Sequence, residues 1–520
     1  MKVLFVSDSL GSPIDPRGIH SFSVSLIENL RGQGGEVALL VERAPGRWMA
    51  GRMRSKIVDL GETRKSVALA EVLRFFADKS YGLNWVHRWA TSKYLPRFVK
   101  KLGAWVYVGF VRTVADKTVT VENDAQMVDF VPTNAPHLAL PDRFVVTPAV
   151  YSEMMLRAAC NLPPATLDAS GYDLVIVDTP SYFRFTGVDS NRILAVIHDL
   201  IPLRDPTMSP HWRDLFFRKL EAVMALKPNF AFVSQYSRDV FVQSFPRYAL
   251  RRSVIYYPTL RRSLVRRAAA GVARAARRYA PPELANLEAS VELQDRLDRE
   301  RSYESAAEQG VAISARYARG ARLRDAYAKF GWNTQLPYFV TVVSDEPRKN
   351  IGLLLKAFDA LKGSVNMVVL GNVDGKRHVG KDPDARGHIR FTGFVPDAEK
   401  MRIIALSDGL IFPSFTEGFG IPLIEGALYD KPVLCSDIEV FREVAGEDAV
   451  YFNPYLEDSL IAAIESVLED PLLAHERALR LKAQVLERFT VGAAAVRLNA
   501  FLAEIGLAGD PDPDKRGGAS

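Results

Sequence analysis

The sequence predicts an α/β protein with two parallel-sheet domains. Short apolar runs typical of buried strands recur in both halves of the chain, and segments with helical spacing separate them. With 520 residues, the chain is too long for one ordinary domain and long enough for two α/β domains with additional segments. Its hydrophobic content of 48% suffices for two buried cores, which excludes a disordered chain.

Charge, cysteine content and the distribution of apolar residues argue against several classes of protein. The 67 basic and 61 acidic residues give a net charge of +6, too small an excess to indicate a nucleic-acid partner by itself. The two cysteines, Cys160 and Cys435, fall in different predicted domains, so no disulfide framework is expected. Asp8 interrupts the short apolar N-terminus, which predicts a first strand and not a signal peptide. No run approaches the roughly 18–20 apolar residues of a membrane span, and we expect a cytoplasmic protein.

The N-terminus has the pattern of a Rossmann-like β–α–β unit. A strand ends near Asp8, and after a loop apolar residues recur at helical spacing from Ile19 to Leu30, which predicts a helix beginning near Gly18. Gly34-Gly35 ends this helix, and a second strand starts at Glu36. The loop after the first strand lies at the usual ligand face of such a sheet, so Gly18 is a candidate for close approach of the backbone to a phosphate or an acceptor.

The Rossmann-like pattern returns between residues 172 and 239. The strand at 192–197 ends in His198-Asp199, and polar residues at the carboxyl end of a strand lie where open α/β sheets place their sites. His198 is therefore a candidate site residue, while Asp199 either orients its ring or caps the next turn. Ser234 and Ser237 follow the strand that begins at Ala231, and both are typical helix N-cap residues.

Two segments leave several interpretations open. The stretch from Trp85 to Tyr107 interleaves aromatic and basic residues, which suits either a helical pair with solvated charges or a membrane surface. The arginine-rich, helix-favouring stretch at 251–330 fits a solvated helical hairpin, an oligomer contact, or a basic patch facing an anionic partner. Because no aromatic platform for single strands accompanies these arginines, we exclude a nucleic-acid partner.

The second domain starts with a strand at 336–343 whose exit loop is rich in charge. Asn350 is in position to cap the helix that follows, which places Arg348 and Lys349 at a helix N-terminus. Two cations beside backbone N–H groups could hold a diphosphate. The alternative is that they neutralise the neighbouring Asp345 and Glu346.

The most informative stretch is 416–430, TEGFGIPLIEGALYD. Glycines flank Phe419 and allow close approach of the backbone, and Pro422 favours the start of a helix. Glu417 precedes this turn and Glu425, seven intervening residues later, is expected in the first turn of the helix. Each glutamate alone has a structural explanation, Glu417 as an exposed turn residue and Glu425 as a complement to the helix dipole. Together they place two acceptor-only carboxylates beside a helix start, which suits the hydroxyl groups of a sugar or a ribose.

This segment resembles the E-x7-E signature of retaining GT-B glycosyltransferases of family 4. The resemblance implies a GT-B fold, with two Rossmann-like domains facing a cleft and with helical insertions. It assigns the ribose hydroxyl groups to Glu425, and the donor sugar to Glu417 and to the backbone of Phe419, Gly420 and Ile421.

Further segments resemble the same family. EPRKN followed by a helix resembles its diphosphate-binding segment, with Arg348 and Lys349 as the cations, and the segment around His198 resembles the one in which a histidine contacts the donor sugar. GFVPD resembles the loop against the nucleobase, which makes Val395 a candidate. Gly18 departs from the family pattern, since Arg17-Gly18 stands where a glycine pair is usual.

By resemblance, the protein transfers a hexose from a nucleotide-diphosphate sugar to a lipid-linked or polysaccharide acceptor, with GDP-mannose as the first choice of donor. His198 and Glu417 would position the sugar, and the leaving phosphate would help to deprotonate the acceptor on the front face. We expect no metal and no cofactor beyond the substrate, because the Asp-x-Asp sequences at Asp382/Asp384 and in 510–514 lie in loop and tail contexts. A cytoplasmic location would include a peripheral contact with the inner face of the cell membrane if the basic-aromatic stretch binds lipid.

Two rival functions use the same fold. A nucleotide-sugar epimerase predicts donor turnover without an acceptor, and a non-catalytic nucleotide-sugar-binding assembly subunit predicts donor binding without turnover. The intact 417–425 segment argues against the epimerase, and the intact set of Arg348, Lys349, His198 and Glu425 argues against the binding subunit. The expected domains are an N-terminal acceptor domain at 1–257 with an insertion at about 46–149, a helical insertion at 258–335, a C-terminal donor domain at 336–490, a closing helix at 491–508 and a disordered tail at 509–520.

Overall fold

A computed structural model of the chain describes residues 1–11, 18–43, 119–122, 138, 140–148, 150–260, 336–379, 387–393, 395 and 397–507. These residues divide into two compact units. Unit 1 comprises residues 1–259 and the segment from 491 onward, and unit 2 comprises residues 260–490. Both units are parallel α/β structures, as the sequence predicts.

Unit 1 contains a twisted, mostly parallel sheet and a smaller two-stranded one. Its described strands are β1 (Lys2–Val6), β2 (Glu36–Arg43), β3 (Val119–Glu122), β4 (Arg143–Pro148), β5 (Ala165–Asp168), β6 (Leu174–Val177), β7 (Phe183–Thr186), β8 (Ile193–Ile197), β9 (Asn229–Phe232) and β10 (Ser253–Ile255). The large sheet has the order β10-β9-β8-β6-β1-β2-β4-β3, and β5 pairs with β7 separately. Among the described strands of the large sheet, β3 and β4 form the one antiparallel pair.

Strands β1, β6 and β8 lie side by side in the centre of unit 1. All residues of β6 and β8 are buried, as expected for central parallel strands covered on both faces. Since the three strands run in the same direction, their carboxyl ends bring Ser7, Asp178 and His198 to one edge of the sheet.

The described helices of unit 1 that precede residue 260 are α1 (Asp8–Gly11), α2 (Gly18–Gly32), α3 (Val150–Ala159), α4 (Ile201–Arg204), α5 (Pro210–Ala225) and α6 (Gln235–Ser244), with a 3₁₀ turn at Ser190–Arg192. Helix α2 begins at Gly18, as its apolar spacing predicts. The prediction that Ser234 is an N-cap is confirmed, since its hydroxyl accepts a hydrogen bond from Ser237 N at 3.0 Å. Ser237 is not an N-cap, because it lies in the first turn of α6 and its hydroxyl donates to His198 O at 3.2 Å.

The segment 46–149, expected as an insertion, contributes to the main sheet at its C-terminal end. Strand β4 pairs with β2 in parallel register, with Phe144 opposite Leu39. The rest of this segment up to residue 118, including the basic-aromatic stretch Trp85–Tyr107, lies outside the described residues, as does 261–335. Across the described ranges, no helix has both the length and the hydropathy that crossing a bilayer requires.

Unit 2 is built on a fully parallel six-stranded sheet. Its strands are β11 (Tyr338–Val342), β12 (Asn366–Leu370), β13 (Ile389–Gly393), β14 (Gly409–Phe412), β15 (Val433–Ser436) and β16 (Val450–Phe452), in the order β13-β12-β11-β14-β15-β16. Its helices within the described residues are α7 (Ile351–Ala360), α8 (Gly375–Val379), α9 (Asp397–Leu406), α10 (Ile421–Ala427), α11 (Glu439–Ala445), α12 (Glu457–Glu469) and α13 (Pro471–Arg488), with a 3₁₀ turn at Pro347–Lys349. Strands β11 and β14 are neighbours, so the loops that follow them leave the sheet side by side.

The last helix, α14 (Val491–Glu504), belongs to unit 1. Gln33 Nε2 donates to Ala495 O at 3.4 Å, and Arg252 Nη1 donates to Glu504 O at 2.7 Å. The guanidinium of Arg497 lies over the ring of Tyr257, 4.7 Å from its centroid. These contacts attach the end of the described chain to the same unit as its beginning.

Candidate functional site

Two loops of unit 2 are joined at the carboxyl edge of the sheet. Phe415 N, in the loop after β14, donates to Arg348 O, in the loop after β11, at 2.8 Å. The side chain of Asn350 donates to Pro413 O at 3.2 Å and to Pro454 O at 2.8 Å. These bonds fix the loop that carries the two predicted cations against the loop that carries Glu417.

Asn350 has a different role from the predicted helix cap. It occupies the N-cap position of α7, but its backbone is left-handed, with φ of 53°, and its side chain makes no capping bond. The amide group instead holds the loops after β14 and β16 through the two carbonyl oxygens described above. Asparagine tolerates this conformation better than most residues, which explains its presence at this turn.

Glu417 binds both cations. Its carboxylate lies 3.0 Å from Arg348 Nη1 and 2.5 Å from Lys349 Nζ, and it accepts a hydrogen bond from Ser414 Oγ at 2.7 Å. The side chains of Arg348, Lys349 and Glu417 are only 17%, 14% and 12% exposed. Glu417 is therefore not the exposed turn residue of the structural explanation; it is the shared anion of a shielded cluster.

The expected alternative partners of the cations are only partly used. Arg348 Nε also contacts Glu346 Oε2 at 2.8 Å, so this residue does neutralise part of the arginine charge. Asp345 instead pairs with His378 Nε2 at 2.7 Å and Arg377 Nη1 at 2.9 Å, both on α8.

The ion pairs favour the charged forms of both partners. Burial raises the pKa of Glu417, but the charges of Lys349 and Arg348 and the hydrogen bonds from Lys349 and Ser414 outweigh it and hold this pKa below its ordinary value. Burial lowers the pKa of Arg348, but Glu417 and Glu346 outweigh it, so this pKa is raised. Both shifts favour the ionised forms of Glu417 and Arg348 at neutral pH.

The turn after Glu417 is formed by backbone and anchored by one aromatic ring. The Phe419 side chain is buried, and its ring meets the Phe489 ring edge-on at 5.3 Å, so Phe419 can serve a ligand only through its backbone. Gly420 has φ of 99°, and a Cβ there would lie 2.8 Å from Phe441 Cε1. Only glycine fits this position. Gly420 is the N-cap of α10 and Ile421 is its first residue, so the backbone of both lies at the start of this helix.

Glu425 lies deeper in its helix than expected. Helix α10 begins at Ile421, so Glu425 is the fifth residue and lies outside the first turn. Its carboxylate Oε2 is 3.6 Å from Lys400 Nζ on α9, and both side chains are largely shielded. Val395, the nucleobase candidate, is half-buried in the segment just before α9. The candidate residues for base and ribose therefore lie on or beside α9 and α10, which contact each other through the Lys400–Glu425 pair. The sequence did not indicate that Lys400 would be the partner of Glu425.

In unit 1, His198 is held by Asp178 and Phe22. Its Nε2 lies 2.9 Å from Asp178 O and 3.5 Å from Asp178 Oδ1. The ring meets the Phe22 ring edge-on at 4.8 Å. Asp199, which the sequence left with two possible roles, accepts a hydrogen bond from Ile201 N at 2.9 Å and so caps the next turn.

Gly18 starts the helix that carries Phe22 to His198, while Arg17 lies outside the described residues. Asp178 was not among the predicted site residues, although its position at the end of the apolar run of β6 is the same signal that identified His198. Within the described ranges, no group of three or more His, Cys, Asp or Glu side chains is arranged to hold a metal ion. The two Asp-x-Asp sequences lie outside those ranges.

Comparison with known proteins identifies one family model and several relatives that match part of the chain. Residues 324–485 match the family model of glycosyl transferases group 1. The O-antigen chain mannosyltransferase B of Escherichia coli is 32% identical over 143 residues, which cover 26% of this chain and 37% of the relative. The O-antigen chain mannosyltransferase RfbU of Salmonella typhimurium is 33% identical over 138 residues, which cover 26% of this chain and 39% of the relative. The matched region thus spans well under half of the length of either relative.

Solved structures extend the likeness to both units. The sucrose-phosphate synthase of Thermosynechococcus elongatus superposes with a TM-score of 0.52 at 12% identity, covering 97% of this chain and 99% of that one. The Anabaena protein Alr3699/HepE, solved in complex with UDP-glucose, superposes with a TM-score of 0.51 at 13% identity. The superposition covers 97% of this chain and 100% of the Anabaena chain. At these identities the likeness concerns the fold alone. The expected resemblance to GT-B glycosyltransferases is thus confirmed at the level of group 1 for residues 324–485, and the chain has the GT-B fold.

Proposed function

We propose that the protein is a retaining, metal-independent glycosyltransferase that uses a nucleotide-diphosphate sugar as its donor. One observation carries the proposal: Arg348, Lys349 and Glu417 form a shielded, ion-paired cluster where the loops after β11 and β14 meet. The match of residues 324–485 to the group 1 family supports it.

The cluster supplies the charge that a diphosphate requires. Because Nε and Nη1 of Arg348 already donate to Glu346 and Glu417, its guanidinium would meet a phosphate oxygen through Nη2, and the Lys349 ammonium acts as a compact charge. When the bond between the sugar and the diphosphate breaks, negative charge builds up on the leaving group. Since Glu417 already orders both cations, little reorganisation is needed when they stabilise that charge. The phosphate that leaves would help to deprotonate the acceptor on the same face of the sugar.

The remaining donor contacts follow from the positions described above. Glu417 and the backbone of Phe419, Gly420 and Ile421 would hold the sugar hydroxyl groups. Glu425 would accept hydrogen bonds from the two ribose hydroxyl groups, with its carboxylate steadied by Lys400. Val395 would lie against the nucleobase.

Unit 1 would contribute His198 to the donor sugar and the backbone of Gly18 to phosphate. His198 lies at the carboxyl edge of its sheet, the edge at which open α/β sheets bind ligands. Both assignments are independent of the donor-binding cluster of unit 2 and can be tested separately.

The names of three relatives support a choice of sugar and acceptor. Two are O-antigen chain mannosyltransferases, and a phosphatidyl-myo-inositol mannosyltransferase of Mycolicibacterium smegmatis is 34% identical over 135 residues, which cover 25% of this chain and 35% of the relative. We therefore propose GDP-mannose as the donor and a lipid-linked or polysaccharide acceptor in bacterial surface glycan synthesis. The protein would act in the cytoplasm, with a peripheral contact at the inner face of the cell membrane where the acceptor is lipid-linked.

The proposal is tested by thermal unfolding with GDP, UDP, ADP and dTDP and their sugars, with and without EDTA. A ligand that binds the native state raises the melting temperature by mass action. We expect one nucleotide to stabilise the wild type, EDTA to have no effect, and Lys349→Ala to remove the stabilisation. Lys482→Ala is the matched control, because Lys482 is 12% exposed and pairs with Asp430 at 2.8 Å in the same unit.

Turnover is tested with the best donor and a lipid extract or glycan as acceptor. Release of the nucleotide that depends on the acceptor, with the sugar joined in the same anomeric configuration as in the donor, is the expected result. No stabilisation by any nucleotide would exclude the donor site. Stabilisation without turnover would favour a binding subunit, and acceptor-independent conversion of the donor an epimerase.

A further inference from the structure

The imidazole of His198 has one nitrogen directed at two oxygens of a single residue. Nε2 lies 2.9 Å from the backbone oxygen of Asp178 and 3.5 Å from its carboxylate Oδ1. A carbonyl oxygen and a carboxylate oxygen are both hydrogen-bond acceptors. Nε2 must therefore carry a proton, and in the neutral ring the lone pair lies on Nδ1.

The Asp178 carboxylate is fixed from the opposite side. The residue is fully buried, and its Oδ2 accepts hydrogen bonds from Ser7 Oγ at 2.7 Å and Ser23 Oγ at 2.6 Å. Its backbone N donates to Val6 O at 2.9 Å, which continues the strand pairing to the end of β6. Since Oδ2 is held by two serines from β1's exit and from α2, Oδ1 stays directed toward His198.

The His198 ring is also fixed in its plane. Phe22, one residue before Ser23 on α2, meets it edge-on with an interplanar angle of 81°. The backbone oxygen of His198 accepts from Ser237 Oγ at 3.2 Å, which anchors the main chain at this position. The ends of β1 and β6 together with helices α2 and α6 thus determine where the ring lies and which nitrogen is engaged.

We propose that Asp178 is a positioning residue: it holds His198 as the Nε2–H tautomer, so that Nδ1 is presented to a sugar hydroxyl as a hydrogen-bond acceptor. The assignment of a sugar as the partner rests on the proposed function, but the tautomer and its cause do not. The ring is thus held through the nitrogen that does not meet the substrate: the backbone oxygen of Asp178 accepts the hydrogen bond, and the buried carboxylate adds an electrostatic contact at 3.5 Å.

Replacement of Asp178 by asparagine distinguishes the contribution of the carboxylate from that of the backbone oxygen, because it changes only the side chain. The two serine hydroxyls donate to one oxygen, so the single oxygen of an asparagine side chain is drawn to their side. Its NH₂ group then faces Nε2, where it can donate but not accept. A donor opposite Nε2–H destabilises that tautomer, and the ring gains population of the Nδ1–H form or moves away from Asp178.

The deciding measurement is a long-range ¹H–¹⁵N spectrum of protein labelled with ¹⁵N-histidine. The signal of His198 is assigned by its loss in His198→Gln. In the wild type, we expect one ring nitrogen at a protonated shift, assigned to Nε2, and Nδ1 at an unprotonated shift. In Asp178→Asn, we expect the two shifts to converge, because the tautomers mix. Asp199→Asn is the matched control, since asparagine can also cap Ile201 N, and its His198 spectrum should stay as in the wild type.

Activity gives a second, separate readout with the donor identified above. We expect kcat of Asp178→Asn to fall at least about ten-fold, the lower end for loss of an orienting partner. Nucleotide affinity should be unchanged, because Asp178 is not among the residues proposed to bind the diphosphate, the ribose or the base. His198→Asn, whose side-chain oxygen lies near the Nδ1 position, should retain several-fold more turnover than His198→Gln, which replaces Nε2.

The outcomes are distinguishable. An Nδ1–H tautomer in the wild type overturns the proposal even if Asp178→Asn fails to fold. An unchanged tautomer in a folded Asp178→Asn shows that the backbone oxygen alone suffices, which also overturns the role of the carboxylate. If no transfer activity is found but the tautomer shifts as expected, the positioning role stands and the proposed function is at fault.

Discussion

Arg348 and Glu417 lie 69 positions apart in the sequence, yet the Arg348 Nη1 and Glu417 Oε2 atoms are 3.0 Å apart. They meet because β11 and β14 are adjacent parallel strands. The loops that follow these strands are joined by a backbone hydrogen bond and by the side chain of Asn350. The carboxylate is thus part of the cation site before any ligand binds. This relationship determines how the unit should respond to changes at Glu417.

Glu417→Gln should destabilise unit 2 and make its stability more dependent on a bound nucleotide diphosphate. Removal of the shared anion leaves two cations close together, and loss of one partner of a buried charge pair costs about 2–5 kcal/mol of unfolding free energy. Since Glu417 is slightly exposed, we expect the lower part of that range. Urea unfolding with and without the preferred nucleotide diphosphate measures it, and the ligand should restore much of the loss, because it supplies the missing negative charge. Equal stability of the variant and the wild type without ligand would contradict this.

The contribution of Glu417 to stability should disappear in acid. Its folded-state pKa is held below its ordinary value of 4.5, so the unfolded chain binds a proton more readily. The stabilisation is therefore complete above about pH 4.5, where both states are ionised, and is lost as the pH falls from there through the folded pKa. The difference in unfolding free energy between wild type and Glu417→Gln, measured from pH 7 down to pH 3, should shrink below about pH 4.5. A difference that stays constant or grows would show that the ion pairs are not its source.

Much of this architecture follows from local sequence. The apolar runs at β6 and β8 predict buried parallel strands, and the apolar spacing from Ile19 to Leu30 predicts α2, because burial on a sheet or a helix face imposes these periods. Strand β4 was missed, since it lies in a segment with no clear pattern that leads up to it.

The partners within the candidate site could not be predicted, because they depend on the order of strands and not on spacing. EPRKN identifies Arg348 and Lys349, but their pairing with Glu417 requires β11 to lie beside β14. Likewise, the contacts of Asp178 with His198 and of Lys400 with Glu425 join residues 20 and 25 positions apart through neighbouring elements.

Glu425 should discriminate nucleotides by their ribose hydroxyl groups. A carboxylate that accepts from the diol contributes about 1.5–3 kcal/mol, so wild type should bind GDP at least about ten-fold more tightly than 2′,3′-dideoxy-GDP, or the corresponding pair for the preferred base. In Glu425→Ala, the two ligands should bind with similar affinity. Isothermal titration calorimetry measures all four affinities as a cycle. A preference for the diol that persists in the variant would remove Glu425 from the ribose site.

Lys400→Met should have a smaller effect of the same kind. The ammonium lies 3.6 Å from the Glu425 carboxylate and is expected to orient it without meeting the ribose. We therefore expect a reduced but measurable discrimination between the two ligands of the previous test, together with unchanged thermal stabilisation by pyrophosphate. A complete loss of pyrophosphate binding would instead place Lys400 among the phosphate contacts.

Gly420→Ala should impair both stability and donor binding, and Gly363→Ala separates the two causes. Both glycines have positive φ, 99° and 90°, so an alanine at either costs about 1–2 kcal/mol of backbone strain. At Gly363 nothing lies within 4 Å of the added Cβ, whereas at Gly420 the Cβ would be 2.8 Å from Phe441 Cε1. The contact with a core ring adds about 1–3 kcal/mol and shifts the turn that leads from Glu417 into α10. Denaturant unfolding should therefore show a larger loss for Gly420→Ala, and calorimetry should show weaker nucleotide-sugar binding for that variant only. Equal losses of stability, with donor affinity unchanged in both, would mean that the Phe441 ring yields and that the Gly420 backbone does not meet the donor.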